Sequence, residues 1–207
     1  MNKYYYEGKN KESAIELALQ DLKITEEDLI INNVEEKSSL LKKTVKIEVL
    51  NINEIISYIK ETINNITKEM NIEANLEIRR RENGITVTIF SDNNSILIGK
   101  NGKNIAALQL LIRQMVNSKL NESLSIIIDV GNYKEKRAKS IVSLAKRLAR
   151  EAYKTKTEVT MDSMNSYERR IVHESLSEDK YVYTESIGEE PNRKVVIKLK
   201  GEWLFDY

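Results

Sequence analysis

Cysteine is absent from this chain of 207 residues, and histidine occurs only once. The first absence excludes disulfides and thiol chemistry, and the second argues against a zinc site. No run of eighteen apolar residues is present, which excludes a transmembrane helix and direct insertion into a membrane. Residues 1–11 are polar and lack the apolar core of a secretory signal. We therefore expect a cytoplasmic protein without a metal or other cofactor.

Proline and glycine are also scarce, with one proline and seven glycines, so each marks a turn or a break. The net charge is only +1, but it is unevenly distributed. Between Leu97 and Lys156 there are 13 lysines and arginines against four acids, a local charge of +9 that leaves −8 for the rest. This asymmetry predicts a basic surface for a polyanion, although charge alone does not distinguish it from a solvated helix face.

Hydrophobic periodicity predicts an α+β fold made of three small domains. Residues 1–51 form the first, a βαββ domain whose helix runs from its cap, Asn10, to Leu22. Its strands are expected at Lys3–Glu7, Leu29–Val34 and Thr44–Leu50. The segment Lys37–Lys43 lies between the last two strands and contains no glycine.

Residues 52–130 form the second predicted domain, in the order αββαβ. Asn53 is expected to cap its first helix. The apolar stripe of that helix is expected at Ile56, Ile59, Ile63, Ile66 and Met70. Asn83-Gly84 predicts a tight hairpin turn between the two alternating strands that follow.

Residues 131–207 form the third predicted domain, which begins with a long helix over Glu135–Lys156. A short strand follows, and then a second helix in which Asn165 and Glu168 have the spacing of a capping box. Two further strands are expected at Tyr181–Ser186 and Lys194–Leu199.

A glycine loop, Gly99-Lys100-Asn101-Gly102, precedes the helix that begins near Lys103. Glycine lets a main chain approach a sugar-phosphate backbone closely, and a helix N-terminus directs N–H groups at an anion. The pattern is neither a Walker loop nor a dinucleotide fingerprint, and alone it is explained equally well by a structural turn. In its context of strands, Ile96-Leu97-Ile98 and a helix, it resembles the GXXG loop of a type II KH domain. In KH domains, such a loop clamps about four nucleotides of single strand.

Arg169 and His173 are four residues apart and therefore lie on one face of a helix. Such a pair can present a cation and an imidazole to one phosphate, or stack on a base. The spacing alone favours a plainer explanation, a partly buried histidine that is hydrogen-bonded to a backbone carbonyl.

Neighbouring residues make this region similar to the Arg-xxx-His (R-three-H) domains, whose members bind single-stranded nucleic acid. The resemblance includes Tyr133–Arg137, the long helix and Thr184–Arg193. Together with the KH-like domain and the βαββ domain, it makes the whole chain resemble the bacterial Jag family (SpoIIIJ-associated protein, KhpB/EloR). Two positions differ from the family pattern. Ser166 replaces a frequent proline, and Lys37–Lys43 lacks the usual glycines, which puts the function of that loop in doubt.

The resemblance implies a non-enzymatic binder of single-stranded RNA that acts as a post-transcriptional regulator linked to cell elongation, division or sporulation. It also implies a small single-KH partner protein and a membrane-associated or cell-wall partner for the N-terminal domain. The expected contact residues are those of the loop and of the Arg-xxx-His region: Gly99, Lys100, Asn101, Gly102, Lys103, Lys134, Arg137, Arg169 and His173.

Three alternatives remain open from the sequence. A nuclease or phosphotransferase using His173 lacks a second histidine or an acidic metal motif. An interaction scaffold with inactive RNA-binding loops is compatible with the acidic N-terminal domain. Single-stranded DNA could replace RNA, because no residue is identified that would contact the 2′-OH.

Overall fold

The computed structural model describes residues 1–39, 42–81 and 84–201. Its contacts divide the chain into two compact units, Met1–Gly131 and Asn132–Tyr207, called here the first and second units. The α+β class is confirmed, because helices accompany three separate three-stranded sheets. The predicted domains 1–51 and 52–130 lie together in the first unit, each with its own sheet, and the boundary between them stays a prediction.

The N-terminal sheet packs its apolar face against a single helix. Its elements are β1 (Tyr4–Gly8), α1 (Lys11–Leu22), β2 (Leu29–Ser39) and β3 (Lys42–Asn51), with the antiparallel order β1-β3-β2. Val45, Ile47 and Val49 on β3 alternate toward Ala14 and Ala18 of α1, and these five residues form a buried cluster.

Two details of this sheet test the sequence predictions. Asn10 caps α1 through a capping box with Ser13, as the sequence predicts. The expectation that strands end at Val34 and begin at Thr44 is wrong, because β2 and β3 remain paired as far as Ser39 and Lys42. The backbone hydrogen bonds between β2 and β3 continue past the apolar residues from which the two strands were predicted. Residues 40 and 41 of the predicted loop lie outside the described residues.

The second sheet carries the glycine loop. Its elements are α2 (Ile52–Glu69), β4 (Ala74–Arg81), β5 (Gly84–Ser91), α3 (Asn94–Ile98), α4 (Lys103–Asn117) and β6 (Ser125–Val130). The order is β4-β5-β6, with β4 antiparallel and β6 parallel to β5. The parallel pair requires a crossover, and the segment containing α3, the loop and α4 provides it.

The second sheet corrects three predictions. Asn51, not Asn53, caps α2 by accepting a hydrogen bond from the Asn53 N–H. The buried stripe shares Ile59 and Ile63 with the predicted one, and Met70 is exposed. Its other members are Ile52, Ile55 and Thr67. The five-residue helix α3 was not expected, since a single turn is too short to show helical periodicity. Asn83 of the predicted turn lies outside the described residues.

Several polar contacts join the elements of the two sheets within the first unit. The Asn32 side chain accepts a hydrogen bond from the Asn121 N–H at 2.6 Å, and the Asn121 side chain donates to the Asn32 carbonyl at 2.6 Å. Arg80 of β4 forms an ion pair with Asp28. These contacts satisfy polar groups of a partly buried interface.

The second unit packs two helices against a small sheet. Its elements are α5 (Tyr133–Thr155), β7 (Val159–Thr160), α6 (Ser166–Leu176), β8 (Val182–Ile187) and β9 (Lys194–Leu199), with the antiparallel order β7-β9-β8. Ile141, Ala145, Ala149 and Ala152 of α5 contribute to its core. None of the described helices combines the length and apolar composition that crossing a membrane requires.

Candidate nucleic-acid interface

The glycine loop joins α3 to α4 through a backbone conformation that side chains disfavour. Gly99 has φ 69° and ψ 179°, Asn101 has φ 54°, and Gly102 has φ 77°. The conformation of Gly99 is open essentially only to glycine, whereas asparagine tolerates the left-handed region of Asn101. The loop sequence is therefore required by its backbone shape.

Asn104 fixes this shape, and no sequence pattern pointed to its role. Its side-chain amide donates a hydrogen bond to the Ile96 carbonyl at 2.7 Å, which ties the first turn of α4 to α3. A Cβ at Gly99 would come within 2.5 Å of the Asn104 Cγ. Asn104 is thus a positioning residue that occupies the space left by the absent Gly99 side chain.

The loop presents positive charge at the N-terminus of α4. Gly102 stands at the cap position of α4 and has no side chain to accept from the amides of the first turn. Lys100 and Lys103 are exposed, and within the described part of the chain neither forms an ion pair. The apolar side chain of Ile96 is 45% exposed beside them. An anion at this position would meet the positive end of a helix of fifteen residues and two lysines.

Arg169, in contrast, is bound within the second unit. Its guanidinium donates to the Met164 carbonyl at 3.0 Å and to the Glu190 carboxylate at 2.7 Å. The Arg169 side chain is 9% exposed and that of Glu190 is 58% exposed. The arginine is therefore held in place with its charge balanced, and the more accessible partner of the pair is the glutamate.

His173 lies one turn after Arg169 on α6, as the spacing predicts. Its Nδ1 is 2.6 Å from the Thr184 hydroxyl and its Nε2 is 2.8 Å from the Ser186 hydroxyl, both on β8. The histidine is therefore hydrogen-bonded to two side-chain hydroxyls, and not to the backbone carbonyl that the spacing alone favoured. Burial, followed by the nearby Arg169 charge, lowers the pKa of His173 below its ordinary value. The ring is accordingly neutral at pH 7.

A second ion pair supports the start of α6. The buried Glu168 carboxylate accepts from Arg137 Nε at 2.8 Å and from the Asn165 N–H at 3.1 Å, while the Asn165 side chain accepts from the Glu168 N–H. The predicted capping box is therefore confirmed, and Arg137 is tied to it. Lys134 lies exposed three residues earlier on α5.

Five of the nine predicted contact residues form the loop in the first unit, and the other four, Lys134, Arg137, Arg169 and His173, lie in the second unit. We call Arg137, Glu168, Arg169, His173 and Glu190 the Arg-His cluster. Neither of its two glutamates was among the contact residues predicted from sequence, and Glu190 is 21 residues from Arg169 along the chain. Across residues 1–39, 42–81 and 84–201, no three histidine, aspartate or glutamate side chains gather so as to hold a metal ion.

Comparison with known proteins assigns both regions to families. The KH domain of KhpA/KhpB matches residues 56–128, and the R-three-H domain matches residues 139–199. RNA-binding protein KhpB of Clostridium symbiosum is 34% identical over 204 residues, covering 94% of this chain and 90% of that protein. RNA-binding protein KhpB of Bacillus subtilis (strain 168) is 27% identical over 200 residues, covering 93% and 96%.

A further relative, RNA-binding protein KhpB of Lactiplantibacillus plantarum, is 33% identical over 135 residues, which are 65% of this chain and 42% of that protein. The fold and the two matched domains define a protein in which a KH domain is followed by an R-three-H domain. The chain belongs to the KhpB family, also called the Jag family, and the resemblance noted from its sequence is confirmed.

Proposed function

We propose that this protein binds single-stranded RNA and that the Gly99–Gly102 loop is a principal contact. The observation that carries the proposal is the loop itself, whose left-handed glycines expose the N-terminus of α4 between two unpaired lysines. The names of the relatives, which describe RNA-binding proteins, support the same function.

In this proposal, the phosphates lie at the loop and the bases lie over the apolar side chains beside it. The amides at the start of α4, with Lys100 and Lys103, bind the sugar-phosphate backbone. The exposed Ile96 side chain supports an unstacked base. Phosphate contacts fix position without discriminating between bases, so sequence preference is expected to be weak.

The Arg-His cluster is proposed as a second contact in which a phosphate replaces the Glu190 carboxylate on Arg169. The two groups are both anionic acceptors, and Glu190 is the exposed partner of the pair. Lys134 and Arg137 add positive charge from α5, and His173 fixes β8 against α6 through its two hydroxyl contacts.

The cellular role is proposed from family membership. The protein acts by binding rather than catalysis, as a cytoplasmic post-transcriptional regulator linked to cell elongation, division or sporulation. A small single-KH protein and a membrane-associated or cell-wall protein are its proposed partners, the latter through residues 1–51. These roles rest on the likeness to the family.

The test is a loop variant that preserves backbone geometry. In Lys100→Asp with Asn101→Asp, the second aspartate tolerates the left-handed conformation, so folding is retained while two acids repel phosphate. We expect affinity for an oligouridine of about 20 nucleotides, longer than the roughly four that such a loop grips, to fall by at least about tenfold. Fluorescence anisotropy with the full chain measures it.

Lys60→Glu with Asn64→Glu, on the exposed face of α2, is the matched control with the same change in charge. It is expected to bind like the parent. Equal affinity of the parent and the loop variant would refute the assignment of the loop. Oligodeoxyuridine in a parallel titration determines whether RNA or DNA is preferred.

A further inference from the structure

The C-terminal half of α5 carries an unpaired basic stripe that the proposed contacts do not use. Between Lys146 and Lys156 there are five basic residues and one acid. Lys146, Arg150 and Lys154 follow one another at intervals of four residues, which places them along one face over about 12 Å. We call these three the α5 stripe. All are exposed, and among the described residues none of them has an ion-pair partner.

An aromatic cavity borders the stripe. It has a volume of about 250 Å³ and is lined by Ala149, Arg150, Tyr153, Lys154, Asp179 and Tyr181. The Tyr153 and Tyr181 rings are 4.2 Å apart between centroids, with their planes tilted by 34°. Lys156 Nζ lies 4.5 Å from the centroid of the Tyr153 ring. Aromatic surface and fixed positive charge therefore meet at one site.

The acids near this site are already engaged by the protein or exposed to solvent. The Asp179 carboxylate accepts from the Tyr181 and Val182 N–H groups at 2.9 and 3.2 Å. Glu174 and Glu178 line a neighbouring cavity with Lys146 and Arg150, and Glu174 is paired with Arg170 at 2.6 Å. Lys200 donates to the Asp179 carbonyl at 2.6 Å and adds another positive charge.

The stripe is separate from the Arg-His cluster. Arg137, which contacts Glu168, and Arg150 are thirteen positions apart on the same helix, a rise of about 20 Å. No residue of the α5 stripe belongs to the Arg-His cluster, so the two surfaces are proposed as different contacts.

We propose that the α5 stripe and the Tyr153–Tyr181 cavity form an additional binding site for single-stranded nucleic acid. The stripe binds successive phosphates, and one base stacks on the Tyr153 ring at the cavity that Arg150 and Lys154 also line. Cations that follow a backbone, combined with aromatic rings that stack on bases, are the chemistry by which proteins bind single strands. An acidic peptide would use the cations but not the cavity. The inference rests on the proposed RNA-binding function and adds a site to it.

Salt titration of the full chain tests the stripe. Arg150→Gln with Lys154→Gln removes two exposed charges and keeps a polar side chain at both positions. The slope of log affinity against log salt is expected to become less negative by about 1.4, or about 0.7 for each phosphate of a single strand that is no longer bound. Oligouridine of about 20 nucleotides is the probe, because it exceeds the roughly four that the loop grips.

Lys60→Gln with Lys68→Gln on α2 is the control with the same loss of charge, and it is expected to retain the parental slope. An Arg150/Lys154 variant that also retains the parental slope overturns the proposal, and a surface for a protein partner would then be the explanation. If the parent protein binds no oligonucleotide, the proposed RNA-binding function is refuted together with the proposed site on α5. If the Lys100/Asn101 loop variant loses affinity while the Arg150/Lys154 variant binds like the parent, only the proposed site on α5 is refuted.

The stacking step has its own test. Tyr153→Phe keeps the ring and is expected to bind like the parent, whereas Tyr153→Leu is expected to lose affinity about fivefold or more, since stacking on one aromatic ring is worth about 1–3 kcal/mol. Circular dichroism melting of both variants verifies that they fold. Equal affinity of two folded variants overturns the assignment of the base to Tyr153.

Discussion

The glycine loop and the Arg-His cluster both place basic side chains beside the start of a helix, but in opposite physical states. At the loop, Lys100 and Lys103 are exposed, and among the described residues neither has an ion-pair partner. In the cluster, Arg169 is buried against Glu190 and Met164, and burial keeps His173 neutral. In the proposed function, a phosphate would reach the loop directly, whereas it would reach Arg169 only by displacing the Glu190 carboxylate.

The difference shows that a sequence motif does not determine whether its basic side chains are already paired within the folded protein. A basic residue in a motif contributes to affinity only to the extent that its charge is not already satisfied. We therefore expect substitutions in the cluster to act first on stability, and substitutions of the loop lysines to act on binding alone.

The largest expected effect is on stability, in Arg169→Ala. The variant loses two hydrogen bonds of a buried guanidinium and leaves the Met164 carbonyl without that donor, a loss of about 2 kcal/mol. Urea unfolding followed by circular dichroism measures it. Arg170→Ala is the control, since its exposed pair with Glu174 contributes less than about 0.5 kcal/mol. Similar losses in both variants would remove the contrast between loop and cluster.

Gly99→Ala is expected to affect the loop by altering its shape rather than its charge. The alanine Cβ would collide with Asn104 in a backbone region that only glycine favours, at a cost of about 1–2 kcal/mol. Affinity for RNA is expected to fall with it, because the hydrogen bond from Asn104 to Ile96 must shift. Gly201→Ala, whose Cβ meets no atom of the described residues within 4 Å, is expected to match the parent in both measurements. An unaffected Gly99→Ala would show that the loop conformation is not required.

Much of the fold follows from local signals in the sequence. The caps Asn10 and Asn165 stand immediately before amphipathic helices, and alternating residues mark β4, β5 and β6. The glycine loop is equally visible in the sequence, since its backbone shape depends on its own glycines. Asn51 and Asn53 are chemically equivalent caps two residues apart, so only the backbone φ and ψ angles distinguish them.

The partners of the cluster could not be predicted in the same way. Glu190, Thr184 and Ser186 contact Arg169 and His173 because α6 packs on β8 and the loop after it. These contacts join residues 11 to 21 positions apart, and no periodicity encodes them. The satisfied state of Arg169 therefore emerges only from tertiary packing.

A smaller effect is expected from Glu190→Gln, which probes whether phosphate competes with this carboxylate. Removing the acid weakens the pair with Arg169 and frees the cation for a phosphate, so affinity is expected to rise by roughly threefold. Glu189→Gln has the same change in charge at the adjacent exposed residue and is expected to produce less than half of that gain. An affinity below the parental value for Glu190→Gln would mean that Glu190 positions Arg169 for binding rather than blocking it.

The smallest expected effect is a dependence of stability on pH. Because the folded state lowers the pKa of His173, the unfolded chain binds a proton more readily as the pH falls through about 6.5. Stability is therefore fully present above that pH and declines toward the lower folded pKa. His173→Gln removes the only histidine, and its stability between about pH 7 and 5.5 is expected to be flatter than that of the parent. Parallel pH profiles would contradict a half-buried, neutral His173 ring.

The most direct test of nucleic-acid binding by the glycine loop is the salt dependence of binding in Lys100→Gln with Lys103→Gln. This variant neutralises both lysines without introducing repulsion. If each lysine contacts a phosphate, the slope of log affinity for oligouridine against log salt becomes less negative by about 1.4, with the unfolding free energy unchanged. A parental slope in the folded variant would contradict the central claim that the unpaired charges of the loop bind the strand.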